Sequence, residues 1–226
     1  LEKTLTALRE IAVETNKEWS AIFGIPQSTA ITCVKPSGTV SQLVDSSSGI
    51  HPRHSSYYIR TVRGDNKDPL TNFMVDSGIP SEADFMKPDT QTVFSFPMKS
   101  PKNSVMRNDM TAIEQLEMWL LYQRHWCEHK PSVTISVRDD EWMEVGAFVF
   151  KHFDEMSGVS FLPHSDHTYQ QAPYQDCTEA VYNDFSSKFR HIDWDKFTDY
   201  EKEDNTKSSQ TFACSGDSCE IVDIGA

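Results

Sequence analysis

The stretch "SVTISVRDDEWMEVGAFVFKHFDEMSGVSFL", residues 132–162, holds two short apolar runs separated by a helical pattern. "SVTISV" and "GVSFL" are brief and rich in Val, Ile and Phe, as buried strands are. Between them, "DDEWMEVGAFVFKHF" opens on three acids, which suit the positive end of a helix dipole, and then turns apolar. Strand, helix and strand in this order make one βαβ unit, and a crossover of that length makes its two strands parallel. The fold class that follows is α/β.

Working outward, Leu1, Leu5, Leu8, Ile11, Ala12, Trp19 and Ile22 recur at helical spacing until Gly24 and Pro26, which predicts an amphipathic helix. "STAITCV" (28–34) predicts a strand, followed by the tight loop "KPSGT" (35–39) and a helix start in "VSQLV". "YYIRTVRG" (57–64) and "TVFSFPM" (92–98) predict strands, with a helix in "DPLTNFMVDSG" (68–78) that stops at Gly78. "TAIEQLEMWLLYQRHW" (111–126) predicts a further helix. Thr111 and Glu114 have capping-box spacing there, and Pro131 is expected to close it. Residues 193–210, acidic and then polar, predict a flexible connector that leads to Cys214 and Cys219.

Of 226 residues, 38% are hydrophobic, enough for a substantial core. The 21 basic against 34 acidic side chains give a formal charge of −13, which disfavours nonspecific adhesion to nucleic acid or to an anionic membrane surface. Any phosphate must therefore be bound by local geometry. No run approaches the roughly 20 apolar residues of a membrane span, and "LEKTLTALRE" lacks the layout of a signal peptide. Five cysteines, an odd and sparse set, read as reduced thiols, so a cytoplasmic location is expected. The first residue is Leu1, in a helix already under way, and the chain reads as a fragment.

Three motifs could carry chemistry. In "KPSGT", Gly38 allows a tight turn whose N–H groups could converge on a phosphate, with Ser37 and Thr39 hydroxyls and Lys35 adding donors; the same letters also describe an ordinary Pro-Ser-Gly turn. "HWCEH" (125–129) has the order of one zinc-peptidase class, with His125 and His129 one helical turn apart and Glu128 beside them, yet it equally describes a capping histidine pair. The closing "TFACSGDSCEIVDIGA" (211–226) sets Cys214 and Cys219 five positions apart among small and polar neighbours, where a structural staple would have little to hold and a metal clip would need two further ligands nearby.

The stretch "CVKPSGTVSQLVDSSSGIHPRHSSYYIRTVR" (33–63), together with "HKPSVTISVRDDEWMEVGAFVFKHFDEMSGVSFLPHSDHTYQQAPY" (129–174) and the terminal cysteine pair, resembles the adenosylcobalamin-dependent (class II) ribonucleotide reductases of the monomeric, triphosphate-reducing type. The resemblance implies a ten-stranded α/β barrel around a finger loop. Residues 1–192 would supply the later part of that catalytic barrel, and 193–226 a flexible connector and redox-active tail. The implied reaction reduces ribonucleoside triphosphates to deoxyribonucleotides for DNA synthesis. A thiyl radical takes a ribose hydrogen, a hydroxyl leaves as water, and two buried thiols are left as a disulfide.

By the same resemblance, Ser37, Gly38, Thr39 and Val40 match the substrate-phosphate loop. His51, Arg53, Tyr57, Tyr58, His167, Tyr169 and Tyr174 fall in segments that contact adenosylcobalamin, and Cys214 and Cys219 match the shuttle re-reduced by a thioredoxin-like partner. The family's Asn-x-Cys-x-Glu finger-loop pattern is absent from the chain, so the radical cysteine and the rest of the barrel are expected upstream of Leu1, and the fragment alone is expected to be inactive. The large subunit of a non-cobalamin reductase is the alternative, with a zinc metallopeptidase and a metal-binding module more remote.

Overall fold

The computed structural model describes residues 1–38, 40–164, 169–189 and 192–202. They form two compact units, one of residues 1–62 and 95–187, the other of 63–94 and the chain from Lys188 onward. The divisions fall within two strands, β1 (Tyr57–Asp65) and β3 (Gln91–Lys99).

The first unit begins with α1 (Glu2–Phe23), stopped as expected by Gly24 in the left-handed conformation. Of its apolar face, only Leu5 is buried among the expected positions, while Leu8, Ile11, Trp19 and Ile22 are exposed. A single helical turn, α2 (Val40–Leu43), follows the Pro-Ser-Gly loop. Helix α4 (Ala112–His125) starts with the predicted capping box, in which Thr111 Oγ1 accepts from Glu114 N and the Glu114 carboxylate accepts from Thr111 N. Its end differs from expectation. The N–H groups of Trp126 and Cys127 both close on Tyr122 O, at 3.0 and 2.9 Å, five residues before Pro131. Pro131 is buried instead, and its carbonyl accepts from Trp119 Nε1 at 3.1 Å.

The βαβ reading holds. β4 (Thr134–Val137) pairs in parallel with β5 (Ser160–Pro163), with α5 (Trp142–His152) between them. The core of the unit forms where α4, β4 and α5 meet, around Leu116, Trp119, Ile135, Val137 and Val145. β1 also pairs antiparallel with β6 (Tyr174–Asp176), which sets Arg60 opposite Tyr174, and α6 (Glu179–Lys188) follows.

Residues 28–34 do not form the expected strand. The carbonyls of Thr32 and Val34 accept from Glu128 N, His129 N and Ser132 N at 2.9–3.2 Å, so the segment runs beside the irregular chain after α4 rather than beside a strand. No closed barrel is formed by the described residues, whose strands make a four-stranded sheet in the order β2 (Ser81–Ala83), β3, β1, β6 and a separate two-stranded sheet of β4 and β5.

In the second unit, α3 (Pro69–Asp76) is capped by Asp68, whose carboxylate accepts from Leu70 N at 2.9 Å, and ends before Gly78 at φ +76°. β2 (Ser81–Ala83), with no strand signal of its own, pairs with β3. Within the stretch read as a connector, residues 194–199 form a 3₁₀ segment, and the rings of Trp194, Phe197 and Tyr200 lie 5.4–5.7 Å from Phe73. No helix among the described residues is long and apolar enough to cross a membrane.

Glu141 joins two elements of the first unit. Its carboxylate accepts from Ala112 N at 3.0 Å and from Arg138 N at 2.8 Å, so one side chain satisfies the open end of α4 and the turn after β4. Burial pushes its pKa up, but those two N–H groups and the Arg138 guanidinium outweigh burial and hold it below the ordinary glutamate value. The stability it gives is present above that ordinary value and is lost as pH falls through the lowered one. Glu141→Ala is predicted to cost about 1–3 kcal/mol for each N–H left unpaired, with Glu141→Gln retaining part of the difference. Urea unfolding of the whole protein measures it, and an unchanged midpoint in the alanine variant would contradict this role.

Candidate functional site

Residues 35–53 fold back on themselves through serines. Ser48 Oγ accepts from Ser37 N at 2.9 Å and donates to Ser37 O at 3.0 Å, while Ser37 Oγ accepts from Ser41 N at 2.9 Å at the start of α2. Gly38 is not the residue that permits this turn. Its φ is not positive, and a Cβ added there meets nothing within 4 Å. The constrained glycine is Gly49, at φ +62°, where a Cβ would lie 3.1 Å from Lys35 O and 3.3 Å from Pro36 N. Gly49 thus allows the chain to pass close behind the loop. Lys35 does not face the turn either, because its ammonium donates to Lys130 O and Ser132 Oγ, both at 2.9 Å.

Beside the loop lies a cleft of about 350 Å³, whose wall includes Pro36, Ser48, His51, Arg53, Tyr58 and Tyr174. Four of the seven expected cofactor contacts therefore come together. His51 is spent on structure, since Nδ1 donates to Ser48 O at 2.8 Å and Nε2 accepts from Thr134 N at 3.0 Å, and only its ring is left to a ligand. Tyr57, next along β1, points the other way by strand alternation and donates to Glu179 at 2.8 Å, with its ring 5.3 Å from Tyr182. Tyr169 is exposed and does not border the cleft. Val40 is exposed beside the loop. His167, Thr39, Cys214 and Cys219 lie outside the described residues.

His54 and Arg107 also line the cleft, although neither was among the expected contacts. Arg107 Nη2 lies 3.1 Å from Asp176 Oδ2, and His54 Nε2 lies 3.0 Å from Asp176 Oδ1 without hydrogen-bonding alignment. The rings of His54, Tyr58 and Tyr174 form a triad with centroids 5.3–5.8 Å apart. Burial and then the Arg107 charge lower the His54 pKa to about 4, against the pull of Asp176, so the imidazole is neutral at neutral pH. Burial likewise raises the pKa of Tyr58, partly offset by Arg53, and its hydroxyl donates to Gln42 at 3.2 Å.

Arg53, only 5% exposed, binds Asp45 through Nη2, while its Nη1, like Arg107 Nε, is buried with no protein acceptor. Buried donors without partners are rare, and an ordered water or a ligand oxygen would satisfy them. Since each guanidinium already has one carboxylate partner, the cleft is suited to amide or phosphate oxygens of modest charge.

The "HWCEH" residues are engaged elsewhere. His125 Nδ1 meets Thr6 Oγ1 at 3.1 Å, and the Glu128 carboxylate accepts from Ile31 N at 2.9 Å, so the motif tethers α1 and the 31–32 backbone. Among the described residues, no group of three His, Cys, Asp or Glu could hold a metal ion. The described cysteines, Cys33, Cys127 and Cys177, are unpaired, and burial raises the pKa of the latter two, which leaves them as thiols at neutral pH.

No protein-family model matches the chain. It is 31% identical over 215 residues to a probable adenosylcobalamin-dependent ribonucleoside-triphosphate reductase of Dictyostelium discoideum, covering 92% of this chain and 27% of the relative. It is 29% identical over 184 residues to the adenosylcobalamin-dependent ribonucleoside-triphosphate reductase of Lactobacillus gasseri, covering 80% and 25%. For that of Euglena gracilis the identity is 28% over 204 residues, covering 89% and 27%. The crystal structure of a B12-dependent (class II) ribonucleotide reductase matches with a TM-score of 0.76 and 26% identity, over 91% of this chain and 29% of that one. The resemblance read from the sequence is thus borne out over most of the chain, which spans about a quarter of the length of the curated relatives it matches.

The lowered His54 pKa fixes the sign of a pH effect. Between about pH 6.5, where an unfolded histidine titrates, and about pH 4, the unfolded chain binds a proton that the folded His54 does not. The stability gained from keeping this ring neutral is present above pH 6.5 and lost as pH falls through that window. His54→Gln is predicted to flatten the pH dependence of the urea midpoint in this range. An identical slope in both proteins would contradict the placement of His54.

Proposed function

We propose that this chain forms part of the catalytic barrel of an adenosylcobalamin-dependent ribonucleoside-triphosphate reductase, a cytoplasmic enzyme that makes deoxyribonucleotides. The observation that carries the reading is the cleft bordered by Arg53 and Arg107, each of which has a buried donor that no protein group satisfies, beside the Ser37–Gly38 turn in a chain with the family's fold. Ser37, Gly38, Thr39 and Val40 would hold the substrate phosphates, with Gly49 giving the loop room at its back.

The donor set fits the cofactor in part. A volume of about 350 Å³ is at the low end for drug-sized ligands, so the cleft takes an edge or a side arm of so large a molecule. Arg53 and Arg107 would donate to its amide or phosphate oxygens, Tyr58 and Tyr174 would provide apolar ring surface, and His51 would keep the wall in place. When bound, adenosylcobalamin supplies the radical that opens the reaction. Neutral His54 holds no extra positive charge there at neutral pH.

The radical cysteine and the two ribose-reducing thiols belong, in this account, to the part of the protein outside this chain, and this stretch alone turns over no substrate. Each turnover replaces a ribose hydroxyl by hydrogen, releases water and leaves one disulfide. Cys214 and Cys219 would reduce that disulfide by thiol exchange and be reduced in turn by a thioredoxin-like protein.

Assay of the whole protein tests this account. Reduction of a ribonucleoside triphosphate is predicted to require both adenosylcobalamin and a thiol reductant, whereas turnover without adenosylcobalamin would contradict the reading and favour the non-cobalamin alternative. With Cys214 and Cys219 both changed to Ser, about one product per site is expected before turnover stops with the thioredoxin system, and a small dithiol should restore part of it. Loss of the first turnover, or undiminished turnover with thioredoxin, would remove the shuttle role.

A further inference from the structure

We propose that Arg60 is a direct ligand of the nucleotide phosphates at the Ser37–Gly38 turn, an inference that rests on the assignment of that turn to substrate phosphate. The antiparallel register of β1 and β6 sets Arg60 opposite Tyr174, and its guanidinium carbon lies 4.3 Å from the centre of the Tyr174 ring. From there Nη2 reaches Gly38 O and Nη1 reaches Pro173 O, each at 3.3 Å. Both bonds are long for N–H···O and both end on neutral carbonyls. A guanidinium has five N–H donors, so most of its capacity is left over.

Charge decides what that capacity serves. The described arginine–carboxylate pairs engage Arg53, Arg63, Arg107, Arg124 and Arg138, and Arg60 is in none of them. Lys35, the cation next to the turn in sequence, is tied to Lys130 O and Ser132 Oγ. In a protein of formal charge −13, a polyphosphate needs a cation close to its seat, and Arg60 is an arginine that touches the turn without a carboxylate partner among the described residues. A planar fork stacked on an aromatic ring keeps its orientation, and its weak carbonyl bonds can be exchanged for shorter, charge-assisted bonds to phosphate. Tyr174 thereby becomes a positioning residue for substrate as well as a wall of the cleft.

A mere structural clamp between the loop and β6 would involve the same contacts, so the test must separate charge from shape. In the whole protein, equilibrium binding of a ribonucleoside triphosphate and of the matching phosphate-free ribonucleoside is measured for Arg60→Gln, Arg60→Lys and Gly38→Val, with thermal unfolding alongside. Arg60→Gln is predicted to weaken triphosphate binding by about tenfold or more, while nucleoside binding changes less than about twofold. Arg60→Lys should recover part of the loss, and the salt dependence of triphosphate binding should fall with Arg60→Gln. Should Arg60→Gln fail to fold, Arg60→Lys decides the matter, with a selective loss for the triphosphate expected from the missing fork. Equal losses for both ligands would overturn the proposal in favour of a clamp. No loss with Arg60→Gln, together with a selective loss with Gly38→Val, would overturn it while leaving the phosphate turn intact. No selective loss with either variant would overturn the phosphate turn as well.

Discussion

A guanidinium buried almost completely, that of Arg53, is the constraint on which the candidate site depends. Taking it out of water is costly unless its donors are met. Asp45 meets one side with both its carboxylate and its carbonyl, which fixes the chain just after α2. The Arg53 backbone adds two further ties, donating to Val105 O at 2.9 Å and accepting from Arg107 N at 2.8 Å. The chain just after α2 and the segment that carries Arg107 are thereby held by one residue. The donor left over, Nη1, is buried without a protein acceptor, and Arg53 borders the cleft that these ties create.

The same economy of contacts joins the two proposed ligand seats. Tyr174 borders the cleft and also stacks on Arg60, while Arg60 touches Gly38. Movement of the turn therefore bears on the ring that lines the cleft through a short chain of contacts. The neutral state of His54 fits this arrangement, since a second positive charge beside Arg107 would share with it the one Asp176 carboxylate that both approach among the described residues.

Much of the fold was legible because its signals are local. The parallel β4–β5 pair follows from two apolar runs around an acid-led helix, and the start of α4 from Thr111 and Glu114. What failed were features decided by distant partners. "STAITCV" has the composition of a strand, but its neighbour is the irregular chain at 128–132. Gly38 was read as the glycine that allows the tight turn, whereas close approach to Lys35 and Pro36 places the constraint on Gly49, eleven residues later. Lys35 and Glu128 look available in sequence and are used up by backbone groups brought in by folding. Of the candidate site, Arg53, Tyr58 and Tyr174 were found by family likeness, and strand alternation alone could have separated Tyr58 from Tyr57. His54, Arg107 and Arg60 had no local signal, because their roles arise from Asp176, Tyr174 and Gly38, each distant in sequence.

The central claim is that the cleft around Arg53 receives part of adenosylcobalamin. Amide hydrogen exchange of the whole protein, with and without adenosylcobalamin, tests it most directly, because the backbone bonds that shape the cleft are individually known. Protection is predicted at Arg53 and Arg107, whose amides tie the two sides of the cleft, and at Thr134, which donates to His51, with residues 63–94 unaffected. Protection confined to residues 63–94, or exchange unchanged at Arg53, Arg107 and Thr134 under saturating adenosylcobalamin, would contradict the account.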